Sequence, residues 1–112
     1  MNQALQKIWK TVAMVPKGKV ASYGQIADLA GLPGRARMVG KSLGQVPDGQ
    51  TLPWYRILRS NGQIAFPAGS ESAERQKGLL QEEGVVVLNN RVRLKDFQWQ
   101  PSLDEILFKL EY

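Results

Sequence analysis

The sequence contains no cysteine and no histidine. The first absence excludes disulfide scaffolds, thiolate zinc sites and cysteine nucleophiles. The second removes the commonest general base and metal ligand among side chains. No apolar stretch approaches the roughly eighteen residues that a membrane-spanning helix needs. The opening MNQALQKIWK lacks the apolar run and small-residue cleavage site of a signal peptide. Internal repeats and low-complexity tracts are also absent. The 112 residues are therefore expected to form one domain over 1–112, soluble, intracellular and cytoplasmic, with no contact to membrane.

Acids are scarce in the first part of the chain. Residues 1–70 hold nine Lys/Arg against two Asp/Glu, and residues 71–112 hold six against eight, for a net charge of +5. A basic first part suggests one face made for a polyanion, although many soluble proteins are basic without binding nucleic acid. The ordinary nucleophile–base pairs cannot be assembled without Cys or His. No D-x-D, H-E-x-x-H or phosphate-loop pattern is present, so neither metal nor cofactor is expected. A Ser–Lys dyad stays open in principle, with nothing in the pattern to position one. The chemistry available is that of a binder.

Periodicity predicts a mainly α domain with one or two small β-hairpins. Asn2 can cap a first helix in which Leu5, Ile8, Trp9, Val12 and Val15 recur at helical spacing. Val20-Ala21 reads as a short extended piece. Ser22 and Gln25 stand in the relation of a capping box, opening a second helix at Tyr23 that carries Ile26, Ala27, Leu29 and Ala30 inward and stops at Gly31. After the turn Leu32-Pro33-Gly34, a third helix over roughly Arg35 to Gln45 places Ala36, Val39, Gly40 and Leu43 on one face, with Arg35, Arg37, Met38 and Lys41 toward the others. A helix, a short glycine-containing turn and a basic helix form a winged-helix-like helix-turn-helix pattern; an ordinary helical hairpin with a solvated basic face fits it too.

Further on, Asn61-Gly62 and Asn89-Asn90 each sit between short β-prone runs and predict hairpins. Glu71 to Glu83 reads as a helix ended by Gly84. Ser102 and Glu105 form another capping box, opening a helix with Leu103, Ile106, Leu107 and Leu110 inward. The aromatic stretch Phe97-Gln98-Trp99 is expected in the core. The most unusual feature is Pro53-Trp54-Tyr55-Arg56. Two adjacent aromatics between a proline and an arginine read either as the wall of a pocket that stacks a base, or as a core anchor.

Taken together, these segments resemble the DNA-binding domain of O6-alkylguanine-DNA alkyltransferases, and more closely their non-enzymatic alkyltransferase-like relatives. The resemblance runs from Val12 to about Gly84. It is carried by Val15-Pro16-Lys17-Gly18-Lys19-Val20, Ser22-Tyr23-Gly24-Gln25-Ile26-Ala27, Gly31-Leu32-Pro33, Arg37-Met38-Val39-Gly40, Pro53-Trp54-Tyr55-Arg56, and Leu79-Leu80 leading to Glu83-Gly84. Alkyltransferases read Pro-Cys-His-Arg at the fifth motif, where the cysteine accepts the alkyl group and the histidine relays its proton. Here Trp54 and Tyr55 stand in those places, and an indole cannot form the thiolate that attack on an alkyl carbon demands. Val46 likewise replaces an asparagine that braces the alkyltransferase site.

The resemblance implies a DNA damage sensor rather than an enzyme. Such a protein binds the minor groove of double-stranded DNA through the helix-turn-helix, rotates O6-alkylguanine into a pocket, and flags it for nucleotide excision repair proteins, acting as a monomer. Residue by residue, it makes Arg37 the finger that fills the gap in the duplex. Tyr23 presses on the phosphate beside the flipped nucleotide and lines the pocket. Trp54 forms pocket wall, with Leu43 and Ile57 as further candidates, and Arg35, Ala36 and Lys41 lie along the DNA. Glu83 matches the relay glutamate, with a structural role expected in the absence of a thiol. Two other readings compete: a sequence-specific regulator in which Arg35, Arg37 and Lys41 read major-groove base edges, and an enzyme that acts on a flipped base through a carboxylate.

Overall fold

A computed structural model describes residues 3–109 of the chain. The proposed cap Asn2 and the apolar Leu110 lie outside the described residues. Helix α1 (Gln3–Met14) buries Ile8 and Val12, one turn apart, and Val15 follows into the same core. The buried Thr11 satisfies its hydroxyl within the helix by donating to the Lys7 carbonyl at 2.8 Å. Trp9 ties α1 to the end of the third helix, its indole N–H donating to the Ser42 carbonyl at 3.0 Å.

The chain then enters a short strand, β1 (Ala21–Ser22), and helix α2 (Tyr23–Leu29) begins directly behind it. The Ser22 hydroxyl accepts the backbone N–H of Gln25 at 3.0 Å, satisfying one of the orphan donors of the first turn. The reciprocal half of the expected capping box does not form. The Gln25 amide donates instead to the Trp99 carbonyl at 2.7 Å and accepts from the Gln98 side chain at 3.0 Å, because the 97–99 segment lies alongside β1. Gly31 takes a left-handed φ of 77° past the end of α2, as a C′ residue should. Helix α3 (Ala36–Ser42) is shorter than its apolar pattern predicts, since Gly44 closes on the Lys41 carbonyl and the chain leaves the helix there. The pair α2–turn–α3 forms the helix-turn-helix.

The sheet is small and parallel: β1 pairs with β2 (Ile57–Leu58), Ala21 opposite Ile57 and Ser22 opposite Leu58. On its other side Val20 exchanges bonds with the third extended segment, Val20 N–H to the Phe97 carbonyl and Trp99 N–H to the Val20 carbonyl. Alternation along these strands divides the interior in two. Ala21 and Ile57 face a core with α1, α2, α3, Leu52 and Trp99. Val20 and Leu58 face a second core with Ile64, Ala73, Leu80, Val85, Val87 and Val92. Trp99 is buried, as expected of that aromatic stretch.

The two turn signals behave differently. Asn89 and Asn90 both adopt positive φ, 53° and 61°, and close a two-residue turn with reciprocal bonds between Leu88 and Arg91. At Asn61-Gly62 only Gly62 has positive φ, and Asn61 instead accepts the Gln63 N–H through its side chain. Beyond this turn the hairpin does not propagate. Ile57–Leu58 pairs with β1, while Gly62 and Ile64 bond to Val92 and Asn90. Gly62 is required there, because a Cβ would collide with the Val92 carbonyl.

Helix α4 (Glu71–Glu82) is capped by Ser70, whose hydroxyl accepts the Ala73 N–H at 3.2 Å. A single turn, α5 (Leu94–Phe97), precedes α6 (Leu103–Lys109). Ser102 and Glu105 complete the expected capping box at α6. Leu103 and Leu107, however, are 69% and 58% exposed rather than inward. Their spacing marks an apolar face, but no described element covers it. No described helix is long and apolar enough to cross a membrane.

Candidate nucleic-acid interface

Pro53-Trp54-Tyr55-Arg56 folds as a 3-10 turn, Trp54–Arg56, at the mouth of β2. Its shape is imposed from three directions. Trp54 and Arg56 donate their backbone N–H groups to the carbonyls of Leu52 and Pro53. The buried Gln76 of α4 donates its amide to the carbonyls of Tyr55 at 2.9 Å and Ile57 at 3.2 Å. Arg56 reaches back to the Val15 carbonyl at 2.8 Å through Nη1 and grips Glu83 with Nε and Nη2.

Glu83 is the hub of this anchor. It accepts from Arg56, from the Tyr55 hydroxyl at 2.7 Å and from the Gly18 backbone N–H at 3.1 Å. Burial pushes its carboxyl upward, but the hydrogen bonds from Arg56, Tyr55 and Gly18 outweigh that and hold it at about 2. The same bonds raise the Arg56 guanidinium and the Tyr55 phenol above their ordinary values. Lys17-Gly18-Lys19, the Trp54 turn and the end of α4 are thereby locked together. Among the described residues no group of three or more acids is placed to hold a metal ion.

The anchored turn presents Trp54 to a cavity of about 440 Å³, within the range of roughly 300–1,000 Å³ typical of small-molecule sites. Tyr23 from α2, Leu43 from the end of α3 and Trp54 meet there, with Gly40 and Gly44 giving the floor. Phe66, Ser72 and Arg75 complete the lining. Trp54 is held edge-on by Tyr55 and Phe66, with ring centroids 5.8 and 6.5 Å away. The Arg75 guanidinium carbon lies 5.9 Å from the Trp54 ring centroid. Ile57, expected in this wall, is fully buried in the first core instead. Its strand position, one residue past the 3-10 turn, points it away from the cavity.

A second, more open groove of about 700 Å³ adjoins the first, sharing Tyr23 and Gly40. Ala36 and Arg37 of α3 form one side; Arg59 and Ser60 of the turn after β2 form the other. Burial raises the Tyr23 phenol, and the facing Arg59 opposes that shift. A Cβ at Gly40 would stand 3.6 Å from the Tyr23 ring, an ordinary contact. The absence of a side chain there opens both cavities. Arg35 and Lys41 are exposed and line neither.

The structure therefore brings Tyr23, Leu43 and Trp54 into one cavity and Arg37 and Ala36 into its neighbour. Sequence reasoning missed Arg59, Phe66, Ser72, Arg75 and the positioning residue Gln76. Ser72 and Arg75 carried one signal, their i,i+3 spacing on a single helix. Phe66 carried another, as an aromatic directly before Pro67 at the end of the β-prone run that follows Asn61-Gly62.

Residues 3–85 match the family model described as "6-O-methylguanine DNA methyltransferase, DNA binding domain". The "DNA base-flipping protein" of Vibrio parahaemolyticus is 43% identical over 90% of this chain and 100% of its own length. "Alkyltransferase-like protein 1" of Schizosaccharomyces pombe is 33% identical over 90% of this chain and 98% of its own. The crystal structure of the S. pombe protein in complex with damaged DNA containing O6-carboxymethylguanine superposes with a TM-score of 0.80 at 33% identity, covering 90% of this chain and 98% of that one. The chain belongs to the 6-O-methylguanine DNA methyltransferase DNA-binding-domain family, on its alkyltransferase-like branch.

Proposed function

We propose that this protein is a non-enzymatic sensor of O6-alkylguanine in double-stranded DNA. The observation that carries the reading is the convergence of Tyr23, Leu43 and Trp54, from three separated stretches, on one cavity whose shared wall leads to Arg37. A flipped guanine stacks against Trp54 while Arg37 enters the minor groove and fills the vacated position. Flipping costs a few kcal/mol of stacking and pairing, least for a mispairing lesion. Arginine suits the gap because it is planar, always charged and drawn to the groove's negative potential.

Tyr23, at the junction of the two cavities, contacts the phosphate beside the flipped nucleotide. Ala36 lets α3 approach the backbone, and Arg35 and Lys41, exposed on the same helix, supply sequence-independent phosphate contacts. Trp54 occupies the place of the alkyl-acceptor cysteine, and the chain has no cysteine, so the bound lesion leaves unaltered. Shielding and presenting it to nucleotide excision repair proteins is the function that remains for such a complex. The homologues named for base flipping and the damaged-DNA complex of the S. pombe protein support this reading.

The test is equilibrium binding to two duplexes that differ by one O6-methylguanine, at fixed salt with undamaged competitor. A preference of about tenfold or more with the lesion recovered intact is expected, corresponding to ~1.4 kcal/mol. Equal affinity would leave a general basic DNA binder and favour the helix-turn-helix regulator. Release of free base or loss of the alkyl group would establish an enzyme.

A further inference from the structure

The cavity walls are aromatic, aliphatic or glycine except on one side, where Ser72 and Arg75 enter from α4. These two residues stand three apart on the helix and share its cavity-facing side. Arg75 is the one formally charged residue in the lining. It makes no ion pair with a carboxylate among the described residues, and its guanidinium rests over the face of Trp54, 5.9 Å from the centroid. Glu71 and Glu74, in the first turn of α4, do not line the cavity. On the far side, beyond the shared Tyr23 and Gly40, the adjoining groove adds Arg37 and Arg59. The α4 side of the cavity, beside Trp54, is thus cationic and carries a hydroxyl donor.

Building on the pocket reading above, we propose that Arg75 reads the charge of the O6 substituent, giving the site a preference for anionic adducts over neutral ones of equal size. A carboxylate on the substituent accepts from the guanidinium as a charge-assisted pair, with Ser72 placed to donate a second hydrogen bond. A neutral group of the same shape leaves Arg75 on Trp54. Because Arg75 is solvent-accessible, the gain is that of an exposed ion pair, about fivefold in affinity.

The experiment compares four duplexes identical except for one base: guanine, O6-methylguanine, O6-carboxymethylguanine and its neutral isostere O6-carboxamidomethylguanine. Dissociation constants are measured for the full chain, for Arg75→Gln and for Arg75→Lys, with thermal melts confirming that each variant folds. The carboxymethyl-to-carboxamidomethyl preference within each protein is the readout, which cancels the general loss of one cation toward DNA. It is expected near fivefold in the parent, near one in Arg75→Gln, and restored in Arg75→Lys. No preference in the parent, or an undiminished one in Arg75→Gln, overturns the assignment while leaving the pocket reading intact. Equal binding of the parent to all four duplexes removes the pocket reading itself, and this inference with it.

Discussion

Arg56 holds Glu83 through two parallel hydrogen bonds, Nε to Oε1 at 2.9 Å and Nη2 to Oε2 at 2.5 Å, with only 14% and 7% of the two side chains exposed. This fork joins residues 27 apart in sequence, and the third nitrogen of Arg56 fixes the Val15 carbonyl. This pair positions the Trp54 turn together with its local backbone bonds and the Gln76 amide.

The pair sets the acid stability of the fold. Glu83 has its folded value lowered from 4.5 to about 2, so its contribution is fully present above pH 4.5 and is lost as pH falls through that window toward 2. Urea unfolding as a function of pH should show the parent losing stability across this range. At pH 7 Glu83→Gln should be less stable by about 3 kcal/mol, because it leaves Arg56 largely buried without its countercharge. The difference between parent and variant should shrink toward pH 2. A gap that stays constant with pH would refute the assignment.

Trp54 and Arg37 should fail in different ways. Trp54→Ala removes the stacking wall, worth about 1–3 kcal/mol per base, so preference for O6-methylguanine over guanine should collapse while undamaged DNA still binds. Arg37→Ala should weaken lesion binding markedly. Competition assays with both duplexes separate the two effects, and tenfold discrimination retained in both variants would sink the pocket assignment.

Phosphate contacts are visible in the salt dependence. Four to six lysine or arginine contacts imply a slope of log K against log salt near about −4 to −5. Lys41→Ala should flatten it by ~1 and weaken damaged and undamaged duplexes alike, as expected of a residue outside both cavities. Titrations at several salt concentrations measure this directly, and an unchanged slope would place Lys41 off the DNA.

Gly40 should show opposite signs in stability and binding. It lies within α3, where Gly→Ala gains about 0.5–1 kcal/mol, and the added methyl meets only the Tyr23 ring at an ordinary 3.6 Å. Gly40→Ala should therefore melt a few degrees higher, yet bind O6-alkylguanine duplexes less well, since the methyl narrows both cavities. Calorimetry and binding on the same preparation test the pair; a variant that gains both would show that Gly40 is not part of the wall.

Much of this molecule was legible locally. Ser22 and Gly31 bracket α2, the two glycine- and asparagine-bearing turns fall where their sequences place them, and Ser102 and Glu105 cap α6 reciprocally. Each of these depends on backbone geometry within a few residues. Gln25 departs from the rule for a nonlocal reason: Trp99, 74 residues away, offers its amide a carbonyl.

The sequence by itself determined the family: the ordered motifs from Val15 to Gly84 identify the domain, and the chain that carries them has neither thiol nor imidazole. Only tertiary structure decided what each apolar face meets. Periodicity marks Leu103 and Leu107 as one face but supplies no partner, and it makes Ile57 apolar without saying that its strand turns it into the core. The parallel pairing of β1 with β2, and the arrival of Phe66, Ser72 and Arg75 around Trp54, join segments well beyond the reach of any local pattern. Such contacts arise from packing among whole elements, and no local pattern encodes them.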